Sequence, residues 1–143
     1  MIYSTDADLE EVQKDIMLHG VDSWDPQHIA ASEIINRAIR VQWFKPLAKT
    51  MGHTDAFDAD LLLEPETFNR LSIYKALELA YLAIMQDMSE NNPFDMKRLI
   101  FQELYEAELN AVLIAGISYD WDGSGTIEPD ESNISRQPRT IRR

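Results

Sequence analysis

The stretch that decides the fold is residues 65–88, which read PETFNRLSIYKALELAYLAIMQDM. Apolar side chains recur there at the three- and four-residue spacing of an α-helix: Ile73, Leu77, Ala80, Tyr81, Ile84 and Met88. Leu79, Leu82 and Ala83 make the opposite side apolar too. A helix that is apolar almost all round is buried on most sides, either by its own domain or by a neighbouring subunit.

Three more helices are predicted before and after this stretch, over residues 6–18, 25–44 and 93–117. The second helix starts at Asp25, a capping acid followed by a proline at the first helical position. Pro46 is expected to end it, because the residue before a proline disfavours the α conformation.

The expected fold is all-α: a small bundle of about four helices followed by an extended C-terminal loop and tail. A chain of 143 residues fits a domain of common size. Residues 1–119 are assigned to the helical bundle domain, within which residues 46–64 form a long, partly acidic connection. Residues 120–143 are assigned to an acidic loop and a basic C-terminal arm.

The composition excludes several classes of function. The chain has 25 acidic and 13 basic residues, and its net charge of −12 repels nucleic acid phosphates and anionic membranes. Sequence-specific binding of DNA is therefore not expected. The absence of cysteine excludes disulfides, thiolate nucleophiles and cysteine-ligated metals. The longest apolar stretch, residues 76–85, is interrupted by Glu78 and is too short to span a bilayer, so no membrane partner is expected.

Residues 120–131, DWDGSGTIEPDE, match the calcium loop of an EF-hand. Calcium is a hard cation that prefers oxygen ligands, and Gly125 stands where that loop needs a sharp turn. The ligand positions are occupied, in order, by Asp120, Asp122, Ser124, Thr126, Glu128 and Glu131. In this arrangement Thr126 offers its backbone carbonyl, Glu128 acts through a water, and Glu131 can bind with both carboxylate oxygens.

The surroundings of this loop differ from those of an EF-hand. Gly116 lies where an EF-hand usually has a core residue, residues 132–138 do not favour an exiting helix, and no second loop is present to pair with. Two interpretations stay open. The loop binds Ca²⁺ weakly in a structural role and stiffens a surface connection, or it is an acidic turn that needs no ion.

The C-terminal tail is basic although the chain as a whole is acidic. Residues 136–143 contain no acid and four arginines: Arg136, Arg139, Arg142 and Arg143. These arginines are predicted to bind a partner, as an arm that docks on an acidic surface of another protein or of a neighbouring copy. The alternative is a solvated end that has no partner.

No catalytic residues are assigned. The three histidines are widely spaced and form no His-Glu-x-x-His pair for zinc. A glycine-rich phosphate loop and a Gly-x-Ser-x-Gly elbow are both absent from the sequence. Without a nucleophile, a base or a cofactor cradle, the chain is not expected to be an enzyme.

In their order along the chain, these features resemble the head-to-tail adaptor (connector) family of tailed bacteriophages. The resemblance is carried by Ser4-Thr5-Asp6-Ala7-Asp8-Leu9, which opens a short first helix, and by Trp43-Phe44 at the end of the second. The long helices around residues 76–88 and 101–117 follow, and the Tyr119-Asp120 acidic loop and the basic tail close the pattern. The resemblance covers most of the chain.

This resemblance implies a structural protein of the virion neck that is in the host cytoplasm during assembly. Members of that family form a ring, commonly of twelve copies, beneath the portal protein. The ring extends the DNA channel and connects to the next neck or tail-completion protein, and C-terminal arms commonly contact the portal. A strongly acidic wall suits a channel that DNA passes through without adhering. The alternative function is a small calcium-binding module with a single EF-hand-like loop.

Overall fold

The structure, a computed structural model, describes residues 2–86, 93–126 and 131–135. Those residues contain five α-helices: α1 (Asp6–Val12), α2 (Asp25–Ile39), α3 (Lys45–Met51), α4 (Asn69–Gln86) and α5 (Phe94–Ala115). They contain no β-strand, only two isolated bridges. Because α2 and α3 form one continuous rod, the expectation of an all-α bundle of about four helices is confirmed. In the described ranges no helix combines the length and the apolar character that crossing a membrane requires.

Helix α4 lies at the centre of the bundle and packs along both α5 and α2. Its fully covered positions are Leu71, Ser72, Ile73, Ala76, Leu77, Ala80 and Tyr81. The other side of α4 is mostly half-buried, and Leu82 is its most exposed large apolar side chain. The helix that is apolar almost all round is therefore covered chiefly by its own domain.

The prediction that the second helix ends before Pro46 was wrong. Residues 25–51 stay helical because Arg40–Phe44 widen into a π-helical turn between α2 and α3. In that turn the Lys45 N–H donates to the carbonyl of Arg40, five residues earlier. A proline removes one helical donor and its ring crowds the preceding turn, and the wider turn accommodates both effects. Gly52, with φ at 77°, ends α3, so the connection to α4 is shorter than the sequence predicted.

The segment that follows α5 is tied back to the bundle. Ile117 and Ile134 exchange two backbone hydrogen bonds, of 2.9 and 3.1 Å. Trp43 of the π-helical turn donates its indole N–H to the carbonyl of Ile134 at 2.7 Å. Gly116 has φ at 102°, and a Cβ there would overlap the backbone carbonyl of Asn133. The close approach of these two chain segments therefore explains the glycine that departs from the EF-hand pattern.

Candidate functional site

The acidic loop begins and ends at neighbouring points on the bundle. The Asp120 N–H donates to the carbonyl of Leu61 at 2.8 Å, which fixes the start of the loop. The Tyr119 N–H donates to the carbonyl of Glu131 at 3.0 Å, which brings the end of the loop beside its start. The first and last predicted ligands are therefore held close together by backbone hydrogen bonds.

Three carboxylates meet inside this loop. Asp120, Asp122 and Glu131, here called the acidic triad, each place a carboxylate oxygen within 4.8 Å of the other two. Asp120 is 3% exposed and Glu131 is 1% exposed, whereas Asp122 is open to solvent. Burying like charges side by side is unfavourable unless donors or a cation compensate them. The acidic triad could therefore hold a metal ion, and its oxygen donors suit a hard cation.

Backbone N–H groups donate hydrogen bonds to these carboxylates and fix the shape of the turn. The Ser124 N–H donates to Asp120 Oδ1 at 3.1 Å and to Asp122 Oδ1 at 2.9 Å. The Gly125 N–H donates to Asp120 Oδ2 at 2.7 Å. Gly125 has φ at 80°, a left-handed conformation that side chains rarely allow, so the sharp turn predicted at this glycine is present. The buried Asp120 carboxylate therefore organises the loop from its first position.

The structure brings three of the six predicted metal ligands together. Ser124 and Thr126 lie in the same turn, where the Ser124 hydroxyl donates to the Thr126 carbonyl at 3.3 Å. Glu128 lies outside the described residues. So do the four arginines of the predicted partner-binding arm, Arg136, Arg139, Arg142 and Arg143.

An aromatic cluster that the sequence did not reveal lies next to the loop. The Trp121 ring stacks on Phe44, with centroids 5.1 Å apart, and on His53, with centroids 4.5 Å apart. Tyr119 packs edge-on against Phe44, and burial raises the pKa of its hydroxyl. The Tyr119 hydroxyl oxygen accepts a hydrogen bond from the Asp58 N–H at 3.1 Å. The cluster joins the start of the acidic loop to the end of α2–α3.

A cluster of polar side chains around His28 was also not predicted from the sequence. Ser4 Oγ lies 2.7 Å from His28 Nδ1 and 2.6 Å from Ser72 Oγ, and His28 Nε2 lies 3.0 Å from Asp6 Oδ1. This set, here called the histidine network, has the Ser–His–Asp order of a hydrolase triad. Ser4 and His28 are nonetheless almost fully buried, so a substrate cannot reach the hydroxyl without opening the fold. The network instead ties the N-terminal segment to α2 and α4.

Helix α5 is apolar on two opposite faces. Its inner face carries Phe101, Tyr105, Leu109, Val112 and Leu113, all buried. Its outer face carries exposed large apolar side chains, namely Met96, Leu99, Ile100, Leu104 and Ile114. Met96 is 69% exposed and Ile114 is 78% exposed, at opposite ends of that face. Only α4 was predicted to be apolar almost all round, although the apolar residues of α5 also recur at helical spacing on its outer face.

Comparisons of the chain with protein-family models, with curated proteins and with solved structures give no match. Three features of the chain itself therefore bear on its function. They are the acidic triad, the outer face of α5 and the distribution of charge.

Proposed function

We propose that this protein is a structural assembly protein, a head-to-tail adaptor of a tailed bacteriophage. In this role, copies of the chain form a ring beneath the portal protein, extend the DNA channel and connect to the next neck protein. The observation that carries the proposal is the outer face of α5. A row of exposed apolar side chains along one helix is typical of a surface that packs against another protein.

The length of this face favours a subunit interface over isolated exposed residues. Met96 and Ile114 are 18 positions apart on one helix, a separation of about 27 Å at the helical rise. Single exposed apolar residues are common on any protein, but five large ones on the side of one helix opposite the core are not. Covering it with a neighbouring copy removes it from water, which contributes about 25 cal/mol for each Å² of apolar surface before the entropic cost of association is subtracted.

The net charge of the chain supports a role as a subunit of a ring that surrounds DNA. Its net charge of −12 repels phosphates, so DNA can pass a ring of such subunits without forming the contacts that give affinity. The four arginines of residues 136–143 give the tail the opposite charge. In the proposed assembly this arm docks on an acidic surface of the portal.

The test of this proposal compares two double variants for assembly on portal rings from the same particle. Ile100→Ser with Ile114→Ser makes the outer face of α5 polar, whereas Leu18→Ser with Ile29→Ser alters exposed apolar residues elsewhere. Sedimentation and electron microscopy should show a ring on the portal with the wild type and the control, and none with the α5 variant. All three proteins should melt at similar temperatures. A wild type that never joins the portal would refute the proposal.

A second candidate function, calcium binding by the loop, is favoured by the convergence of the acidic triad. We propose that Ca²⁺ binds weakly there and fixes residues 131–135, which precede the basic tail, against the bundle. A cation would offset the repulsion between Asp120, Asp122 and Glu131, and the loop supplies the hard oxygen ligands that Ca²⁺ prefers. The ion would then be a structural part of an adaptor, or the main ligand of a small calcium-binding module.

Thermal unfolding with and without Ca²⁺ tests this candidate. At about 100 times the dissociation constant, a ligand of the folded state adds about 2.7 kcal/mol of stability, which is a shift of several degrees. Asp120→Ala with Glu131→Ala should abolish the shift. Glu10→Ala with Glu11→Ala, which removes two exposed acids of α1, should keep it. A shift that persists in the loop variant would place the ion elsewhere.

A further inference from the structure

A cleft of about 400 Å³ lies beside the aromatic cluster, between α2–α3 and residues 53–57. Its apolar lining comes from Phe44, Ala48 and Phe57, which are buried or half-buried. Its charged lining comes mainly from Arg40, Lys45 and Lys49, which are exposed. The cleft therefore offers an apolar surface with cations next to it.

The three cations are unusual for this chain, whose net charge is −12. Among the described residues that line the same cleft, Asp55 is the one acid. In the part of the chain that the structure describes, Arg40, Lys45 and Lys49 form no ion pair, so no acid of the chain neutralises them by direct contact. Lys45 and Lys49 are four residues apart on one helix, a spacing at which like charges repel. This local excess of positive charge fits an anionic ligand.

We infer that this cleft binds a short acidic segment of a partner protein. An aliphatic or aromatic side chain of that segment packs on Phe44 and Phe57, and carboxylates on either side of it reach the three cations. The inference rests on the proposed function as an assembly protein and names the chemistry of one partner segment.

A nucleic acid is the less suitable occupant of the cleft. Its many phosphates would extend past the cleft over a surface that is strongly acidic, where like charges repel them. A short peptide confines its few charges to the cleft itself. Beyond about 8 Å, salt screens the remaining acids of the chain at physiological ionic strength, so they oppose the peptide little.

The aromatic cluster connects the cleft to the acidic loop. Trp121, at the second position of the loop, stacks on Phe44 and His53, and both of those residues line the cleft. A ligand in the cleft therefore rests on side chains that also support the loop. Binding there should therefore change the surroundings of Trp121 as well.

The test measures binding of a fluorescein-labelled peptide in which Asp and Glu residues flank a central Leu-Phe pair. A peptide with Asn and Gln in place of the acids controls for charge, and oligothymidine tests the nucleic acid alternative. Lys45→Gln with Lys49→Gln should weaken binding of the acidic peptide at least about tenfold. Lys14→Gln with Arg70→Gln removes the same charge from exposed positions that do not line the cleft, and it should leave binding unchanged.

Three results would overturn the inference: equal binding by the cleft variant and the wild type, no preference for the acidic over the neutral peptide, or tighter binding of oligothymidine. The two proposals fail in different ways. If the acidic peptide does not bind but the α5 variant loses the ring, the inference falls and the assembly function stands. If the peptide binds the cleft but the chain never joins a portal, the cleft stands and the adaptor function falls.

Discussion

The histidine network and the acidic triad both bury polar side chains, yet they are built differently. In the histidine network, three contacts at hydrogen-bond distance join Ser72 to Ser4, Ser4 to His28 and His28 to Asp6, so side-chain donors and acceptors satisfy each other. In the acidic triad, the side chains that meet are all carboxylates, and backbone N–H groups of the loop donate to them. The polar groups of the histidine network therefore satisfy one another and hold the chain segments together. The acidic triad instead brings together like charges that a cation can stabilise.

The largest expected loss of stability comes from breaking the histidine network. His28→Ala removes a buried ring together with its hydrogen bonds to Ser4 and Asp6, which should lower the free energy of unfolding by about 3 kcal/mol. Urea denaturation measures this as a lower midpoint at unchanged slope. The loss should be the same with and without Ca²⁺. A loss below about 1 kcal/mol would show that the network is not a structural tie.

His53→Ala is the matched control, because His53 is half-buried and stacks on Trp121 outside the network. Its ring lies partly in solvent, so its removal should cost clearly less stability than removal of His28. An equal cost for the two variants would contradict the special role of the buried histidine.

An intermediate effect is expected from loosening the tie between the bundle and the acidic triad. Trp43→Phe removes the hydrogen bond to the Ile134 carbonyl and part of a fully buried ring, which should cost about 2 kcal/mol. Hydrogen exchange should become faster at the amides of Ile117 and Ile134, and the calcium-dependent shift should shrink. Unchanged exchange at both amides would mean that Trp43 does not anchor the loop.

Trp121→Phe is the control for this change. In the described residues, the Trp121 indole N–H has no hydrogen-bond acceptor although it is buried. Replacing Trp121 therefore loses ring contacts but no hydrogen bond, and it should cost less than Trp43→Phe.

The acidic triad could be predicted from the sequence because its members belong to one short loop. Positions 1, 3 and 12 of that loop are brought together by a local turn whose glycine and acids are visible in the sequence. The fold class could be predicted for a similar reason, since apolar spacing along each helix is a local pattern.

The histidine network and the aromatic cluster could not be predicted in this way. Ser4 and Ser72 are 68 residues apart, and Trp121 meets Phe44 only because α5 returns the chain to the π-helical turn. Such contacts depend on how the helices pack. The continuation of the helix through Pro46 was missed for a different reason, because a π-helical turn that accommodates a proline leaves no pattern of its own in the sequence.

The smallest expected change in stability comes from Glu131→Gln. It distinguishes the acidic triad from the histidine network most directly, because Ca²⁺ should reverse its sign. Glu131→Gln keeps the shape of a buried side chain but removes one negative charge from the triad. Without Ca²⁺ the variant should be more stable than the wild type by about 1 kcal/mol, since repulsion among the carboxylates is relieved. With saturating Ca²⁺ the wild type should become the more stable protein, because the variant has lost a ligand.

Asp6→Asn is the corresponding change in the histidine network, where the carboxylate lies beside His28 and accepts from the Trp24 N–H. It should lower stability by about 1 kcal/mol under both conditions, since no ion takes part there. Thermal unfolding of the two variants and the wild type, each with Ca²⁺ and with a chelator, makes this comparison. If Glu131→Gln destabilises the protein equally with and without Ca²⁺, Glu131 is a structural acceptor like Asp6, and the contrast between the two clusters does not hold.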